Sequence, residues 1–207
     1  MSKPRSSSGS WLSRQERDPY VQQARRDGWR SRAVYKLEQI DQKEKILRPD
    51  MVCVDLGSAP GSWSQYVTAK LKGRVRIVAV DLLPMDALQG VEFIQGDCND
   101  DEVLQRVLQA VGDVGADLVM SDIAPNTSGM RAVDQPRSMT LVELALDMVR
   151  TVLKPRGSFI CKVFQGAGID EFVADVRNSF ESVRVLKPRA SRASSREVYL
   201  VARKYHL

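Results

Sequence analysis

The chain has 207 residues, 43% apolar and 28% charged, with no apolar run long enough to span a bilayer and no signal-peptide core at the N-terminus, so it reads as one cytoplasmic globular protein, a monomer with no obligate protein partner. One histidine, His206, and three scattered cysteines, Cys53, Cys98 and Cys161, argue against zinc, disulfides and histidine-based acid–base chemistry. The net charge of +5 is uneven: residues 1–36 and 184–207 each carry +6 and the middle carries −7, so two basic ends, the first interleaved with Trp11, Tyr20, Trp29 and Tyr35, suggest a phosphate-backbone partner.

Residues 1–17 read as a basic, disordered tail, and residues 18–207 as a single domain. Asp18-Pro19 is a helix start, with Asp as N-cap and Pro at the first position, and Gly28 marks the end. Ser31 opens a second helix, SRAVYKLEQIDQK, with Ala33, Leu37 and Ile40 on one face. From residue 51 short apolar runs alternate with helical patterns. MVCVDLG, VRIVAVDLL, VEFIQGD, ADLVMSDIAP and GSFICKVFQG read as strands. GSWSQYVTAKL, DEVLQRVLQAVG, TLVELALDMVRTVL and DEFVADVRNSF read as helices. ESVRVLKP and REVYLVARKY close the chain with no helix between them, so they should pair antiparallel. The expected fold is α/β: a mostly parallel sheet with an antiparallel last strand and helices on both faces.

Ligands of open α/β sheets bind at the carboxyl ends of the strands. Those ends carry Asp55, Asp81, Asp97 and Asp122. The loop after the first strand, GSAPGSW, offers Gly57 and Gly61 for a tight turn and close backbone approach. It is neither a dinucleotide fingerprint nor a P-loop, which disfavours pyrophosphate. Asp81 stands where an acid accepts from both hydroxyls of a ribose, and Asp97 where one could meet the exocyclic amine of adenine. Any one of these acids is as readily a turn former. Together they suit a cofactor with adenine and ribose but no phosphate, and S-adenosylmethionine is that molecule.

VDLGSAPGSWSQY, VDLLPMD, FIQGD, SDIAPNTSG, LVELAL, KVFQG and SREVYLVA resemble the FtsJ/RrmJ family of ribosomal RNA 2′-O-methyltransferases, in its short bacterial form. The resemblance runs from about residue 19 to 203 with the motifs in register. Ser62 departs from it, since the family often has a second glycine there. The resemblance implies a seven-stranded Rossmann-like methyltransferase domain. It also implies that Gly61, Trp63, Asp81, Asp97 and Asp122 line the S-adenosylmethionine pocket, with Asp55 and Gly57 in the same motif. It implies a catalytic tetrad of Lys36, Asp122, Lys162 and Glu197, with Lys162 as proton acceptor and no metal.

Methylating a ribose 2′-hydroxyl needs alignment of the reacting atoms and help in removing a proton. Lysine has a reference pKa of about 10.4. Burial and a second lysine favour the neutral amine, and nearby carboxylates favour the ammonium. The residues leave two versions open. A neutral Lys162 takes the proton, or a charged Lys162 orients the hydroxyl and stabilises the alkoxide. Taken singly, Lys162, Glu197 and Lys36 are ordinary strand or helix-surface charges.

Arg25, Arg26, Arg30, Arg32, Lys187, Arg189, Arg192 and Arg196 are candidate phosphate contacts, and the helices of residues 18–46 are expected to share in RNA binding. Trp29 and Tyr199 are candidate base readers. The resemblance implies a uridine in the A loop of 23S rRNA, on the large ribosomal subunit. Competing readings are a tRNA or mRNA-cap 2′-O-methyltransferase and a non-catalytic assembly factor. A DNA amino-methyltransferase fits less well, because the fourth strand ends Asp122-Ile123-Ala124-Pro125 rather than in an Asn/Asp-Pro-Pro-aromatic run.

Overall fold

The computed structural model describes residues 17–126 and 128–206. The tail expected over residues 1–17 lies, apart from Arg17, outside the described residues. The elements in chain order are α1 (Pro19–Arg26), α2 (Val34–Glu44), β1 (Met51–Leu56), α3 (Ser62–Lys70), β2 (Val75–Asp81), β3 (Val91–Gln95) and α4 (Asp101–Val111). Then follow β4 (Ala116–Ser121), α5 (Arg131–Val152), β5 (Leu153–Phe164), α6 (Ile169–Ser179), β6 (Phe180–Leu186) and β7 (Glu197–Tyr205).

The seven strands form one sheet in the order β3-β2-β1-β4-β5-β7-β6. β1 to β5 pair in parallel, and β7 inserts antiparallel between β5 and β6. The insertion follows from the basic connection between β6 and β7, which returns without a crossover helix.

Successive strand residues serve opposite faces. Phe159, Cys161, Val163, Val198, Leu200 and Ala202 join the core beneath α4, α5 and α6. Ile160, Tyr199 and Val201 join the other core, beneath α1, α2 and α3. Lys162 alternates with Cys161 and Val163, so it shares the second face with Ile160 and Tyr199. In register it stands directly opposite Tyr199.

Local expectations were met with three shifts. The Asp18 carboxylate accepts from the Tyr20 amide at 3.0 Å, with Pro19 at the first helical position. α2 begins at Val34 rather than Ser31, because the Ser31 hydroxyl accepts from the Ala33 amide in a turn ahead of the helix. α5 begins at Arg131, nine residues before the expected start, and runs through Pro136. Proline costs most in a helix interior, but this one lies in the exposed early turns, anchored by the Asp134 carboxylate. That carboxylate accepts from the Ser128 amide and hydroxyl and the Gly129 amide. β5 begins at Leu153, four residues early, with an irregularity opposite Ala116–Leu118.

Among the described residues no helix is long and apolar enough to cross a membrane. Cys53 and Cys161 are buried free thiols, and Cys98 is half-buried.

Candidate active site

The carboxyl ends of β1, β4 and β5 meet the start of β7, and the first turn of α2 leans over them. This convergence assembles Lys36, Asp122, Lys162 and Glu197. The Lys162 Nζ lies 3.1 Å from Asp122 Oδ1 and donates to the Asp122 carbonyl at 2.5 Å. The Lys36 Nζ lies 3.0 Å from Glu197 Oε1 and 3.2 Å from Oε2. All four side chains are at most 17% exposed, so each charge leans on its partner.

Tyr199 ties the two pairs together. Its hydroxyl donates to Asp122 Oδ1 at 2.6 Å, and the Lys36 ammonium stands 5.7 Å from its ring centroid. It is 0% exposed, which corrects the expectation that it reads a base: no base can reach its ring. Burial, then the charges of Asp122 and Glu197, push its hydroxyl far above the usual phenol range, so it stays a neutral donor. The sequence signal was its place two residues after Glu197, on the same strand face. Burial raises the Asp122 carboxyl, but Lys162, Lys36 and the Tyr199 hydroxyl outweigh it and hold the group below the ordinary carboxylate range.

A cleft of about 360 Å³ opens on one side of Asp122. Gly57, Asp81, Asp97 and Asp122 line it, with apolar walls from Val80, Leu82, Leu83, Ile123, Leu141 and Leu144. Asp81 Oδ2 accepts from the Ala59 amide at 2.9 Å and Oδ1 from the Leu83 amide at 2.8 Å, which fixes the carboxylate at the cleft edge. Asp97 Oδ1 accepts from the Asn99 amide and side chain. Gly57 has φ +70°, and a Cβ there would fall 2.6 Å from Ile123 Cγ1, so the turn requires glycine.

A smaller adjoining cavity of about 20 Å³ is lined by Asp55, Gly57, Ser58, Trp63 and Asp122, among others. The buried Ser58 hydroxyl there has no hydrogen-bond partner among the described residues. Trp63 donates to the Ala33 carbonyl at 2.9 Å and packs 5.8 Å from Tyr199. Ser62, the departure from the family pattern, is buried with its hydroxyl 2.6 Å from that of Ser31.

Asp55 is fully enclosed. Burial is the largest influence on it and pushes its carboxyl up to about 7, against the lowering effect of the Ser64 hydroxyl, which donates at 2.6 Å. An unfolded aspartic acid titrates near 3.9. The folded state therefore binds the extra proton, and its stability falls as pH rises from about 4 through 7. Unfolding midpoints of the cofactor-free protein between pH 5 and 8 should decline, and Asp55→Asn should flatten that decline. A slope unchanged in the variant would refute the assignment.

A third cleft, of about 380 Å³, lies on the other side of the tetrad and is lined by Ser31, Arg32, Ala33, Lys36, Arg192, Ser194, Ser195 and Glu197. Two of the predicted basic residues therefore face the tetrad. Asp18 anchors them: its Oδ2 accepts from Arg32 and lies 3.4 Å from the Arg192 Nε. Arg32 also donates to the Ala190 carbonyl, and it stands over the Tyr20 ring at 5.5 Å. Arg196 is half-buried and donates to the Gln165 carbonyl. Arg189 faces elsewhere, into a groove shared with Gln39, Lys43 and Lys187. Arg25 and Arg26 are exposed on the last turn of α1. Trp29 is half-buried, 6.2 Å from the Tyr66 ring.

Arg30 corrects the expectation of a free phosphate contact. Its Nη1 donates to the Pro60 and Asp86 carbonyls and its Nη2 to the Ala87 carbonyl, each at 2.9 Å. It passes so close to Gly61 that a Cβ there would lie 2.7 Å from Nη1. Gly61 thus lines neither cofactor-side cavity. It makes room for Arg30, which straps the loop carrying Leu82 and Leu83 to the turn before α3.

A profile of the FtsJ-like methyltransferase family matches residues 29–205. The chain belongs to the FtsJ-like methyltransferase family. Members of this family use S-adenosylmethionine. The fold is also similar to a crystal structure from Plasmodium falciparum that carries a provisional ribosomal RNA methyltransferase assignment. The two share 28% identity and superpose with a TM-score of 0.76, over 86% of this chain and 98% of that one. Among the described residues no group of three or more His, Cys, Asp or Glu side chains is placed to hold a metal ion.

The cleft beside Asp122, with its small adjoining cavity, suits the methyltransferase cofactor: acids at the rim for hydroxyls and an amine, apolar walls for an adenine, and in the adjoining cavity an orphaned Ser58 hydroxyl with Asp55 and Asp122. Releasing the Arg30 strap should loosen one wall. Arg30→Ala should weaken S-adenosylmethionine binding on the order of tenfold, measured by calorimetry, with turnover at saturating cofactor largely kept. An unchanged cofactor affinity would overturn the strap.

Proposed function

We propose that this protein methylates a ribose 2′-hydroxyl of RNA, with a uridine in the A loop of 23S rRNA on the large ribosomal subunit as its target. The observation that carries the 2′-O reading is the meeting of two clefts, one acidic and apolar, one basic, at a single Lys–Asp–Lys–Glu tetrad. S-adenosylmethionine, when bound, supplies an electrophilic methyl group. Asp81 offers its carboxylate to ribose hydroxyls, and Asp97 offers its own to the adenine amine. Gly57, Gly61 and Trp63 shape the turn beside the methionine end, where Asp122 places negative charge and Asp55 a carboxyl raised by burial.

On the substrate side Arg32 and Arg192 take backbone phosphates. The 2′-hydroxyl then meets Lys162. The Asp122 carboxylate and carbonyl hold its Nζ as a donor, which supports the charged version: Lys162 orients the hydroxyl and stabilises the negative charge that develops on its oxygen, and the hydroxyl proton passes to solvent. Lys36 and Glu197 fix the opposite side of the nucleotide. Uridine and the A loop rest on the family resemblance, and the ribosomal target is further supported by the assignment carried by the Plasmodium structure.

Labelled methyl transfer from S-adenosylmethionine to purified large subunits, free rRNA and tRNA tests the reading. Label should enter the large subunit and not tRNA. Label on tRNA alone would remove the ribosomal target, and no label with tight ribosome binding would favour a non-catalytic factor.

A further inference from the structure

Phe164 is a large aromatic that belongs to neither core. It is half-buried at the end of β5, two residues past Lys162 and so on the same strand face. The Lys162 Nζ stands 5.9 Å from its ring centroid. The ring forms one wall of a cleft of about 160 Å³, closed by Pro125, Asp134, Gln135, Ser138, Ser194 and Arg196. That is well below the ~300 Å³ at which drug- and cofactor-sized pockets begin. It suits one heterocyclic ring. Pro125 follows Asp122 by three residues and Arg196 directly precedes Glu197, so the cleft adjoins the tetrad.

Its polar groups are partly uncommitted. The buried Gln135 Oε1 has no hydrogen-bond partner among the described residues, and Ser138, in the same lining, is 4% exposed. Arg196 uses Nη1 on the Gln165 carbonyl and keeps its other donors. The Gln135 amide donates to the Phe164 and Ala167 carbonyls at 3.3 and 3.0 Å, which holds the aromatic wall in place.

We propose that this cleft seats the base of the nucleotide being methylated. The base stacks on Phe164, and the Ser138 hydroxyl and the Arg196 guanidinium donate to its edge. A pyrimidine with two ring carbonyls, such as uracil, fits both the volume and the donors. The inference rests on the ribose 2′-O reading.

The test is a cycle of two proteins and two RNAs. Wild type and Phe164→Ala are compared on an A-loop hairpin and on the same hairpin with an abasic ribose at the target uridine. Methyl transfer (kcat/KM) and RNA affinity by fluorescence anisotropy are both read. Removing the base should cost the wild type roughly tenfold or more. It should cost Phe164→Ala no more than about twofold, because the wall it stacks on is already gone. Phe164→Leu, which keeps apolar bulk, and unfolding midpoints of both variants control for folding. An equal abasic penalty in wild type and Phe164→Ala would overturn the base seat. Failure of the wild type to methylate the ribose in both the hairpin and the large subunit would instead sink the 2′-O reading, and the affinity arm would still decide the base seat.

Discussion

Lys162→Ala will lose roughly 10²–10⁴-fold in methyl transfer while binding S-adenosylmethionine nearly as well as the wild type. The two halves of this expectation have separate structural grounds. Lys162 does not line the cofactor cleft, so removing it leaves Asp81, Asp97 and the Gly57 turn in place. Its Nζ, held by two Asp122 oxygens, is the group proposed to meet the nucleophilic hydroxyl. Single-turnover transfer at saturating cofactor, paired with calorimetry, separates the two. Near-normal turnover would show that the chemistry lies elsewhere.

Asp122→Ala will cost both activity and stability. Asp122 is the acceptor for Lys162 and for the buried Tyr199 hydroxyl. Removing one partner of a buried ion pair strands the other charge, at a cost on the order of 3–5 kcal/mol. The pair variant Asp122→Ala/Lys162→Met removes both charges. It should recover most of that loss in urea unfolding and still transfer no methyl. Its failure to recover stability would mean that Asp122 acts through Tyr199 and the chain turn rather than through the ion pair. The carboxyl is held below the ordinary range, so its contribution is present above about pH 4, the unfolded value, and is lost as pH falls through the folded one.

Much of the fold was legible because parallel strands are covered on both faces. Their sequences become short apolar runs, and helical patterns between them leave little freedom of topology. The missing helix before REVYLVARKY was enough to place β7 antiparallel. The start of α5 was hidden because Pro136 looks like a helix stop. Only the Asp134 contacts to Ser128 and Gly129 reveal how the early turns hold.

In the site, Lys162 was visible because a charge inside an apolar strand is costly and demands partners. Its two oxygen acceptors come from a residue forty positions away and left no local trace. Arginines were the least legible residues. Arg30 on three carbonyls, Arg32 on Asp18 and Arg189 in a distant groove share one composition. A guanidinium that binds main chain has the same sequence signature as one that binds phosphate. Tyr199 was hidden for a related reason: an aromatic in a strand reads the same whether it faces a ligand or is sealed beneath Lys36.

The position of the transferred methyl group decides whether the ribose 2′-oxygen is the acceptor. Large subunits labelled from S-adenosylmethionine can be deproteinised and their rRNA hydrolysed in alkali, which cannot cleave a linkage whose 2′-oxygen is methylated. Label is expected in an alkali-resistant dinucleotide that yields 2′-O-methyluridine on digestion, and none with Lys162→Ala. Label released as a base-methylated mononucleotide would contradict it.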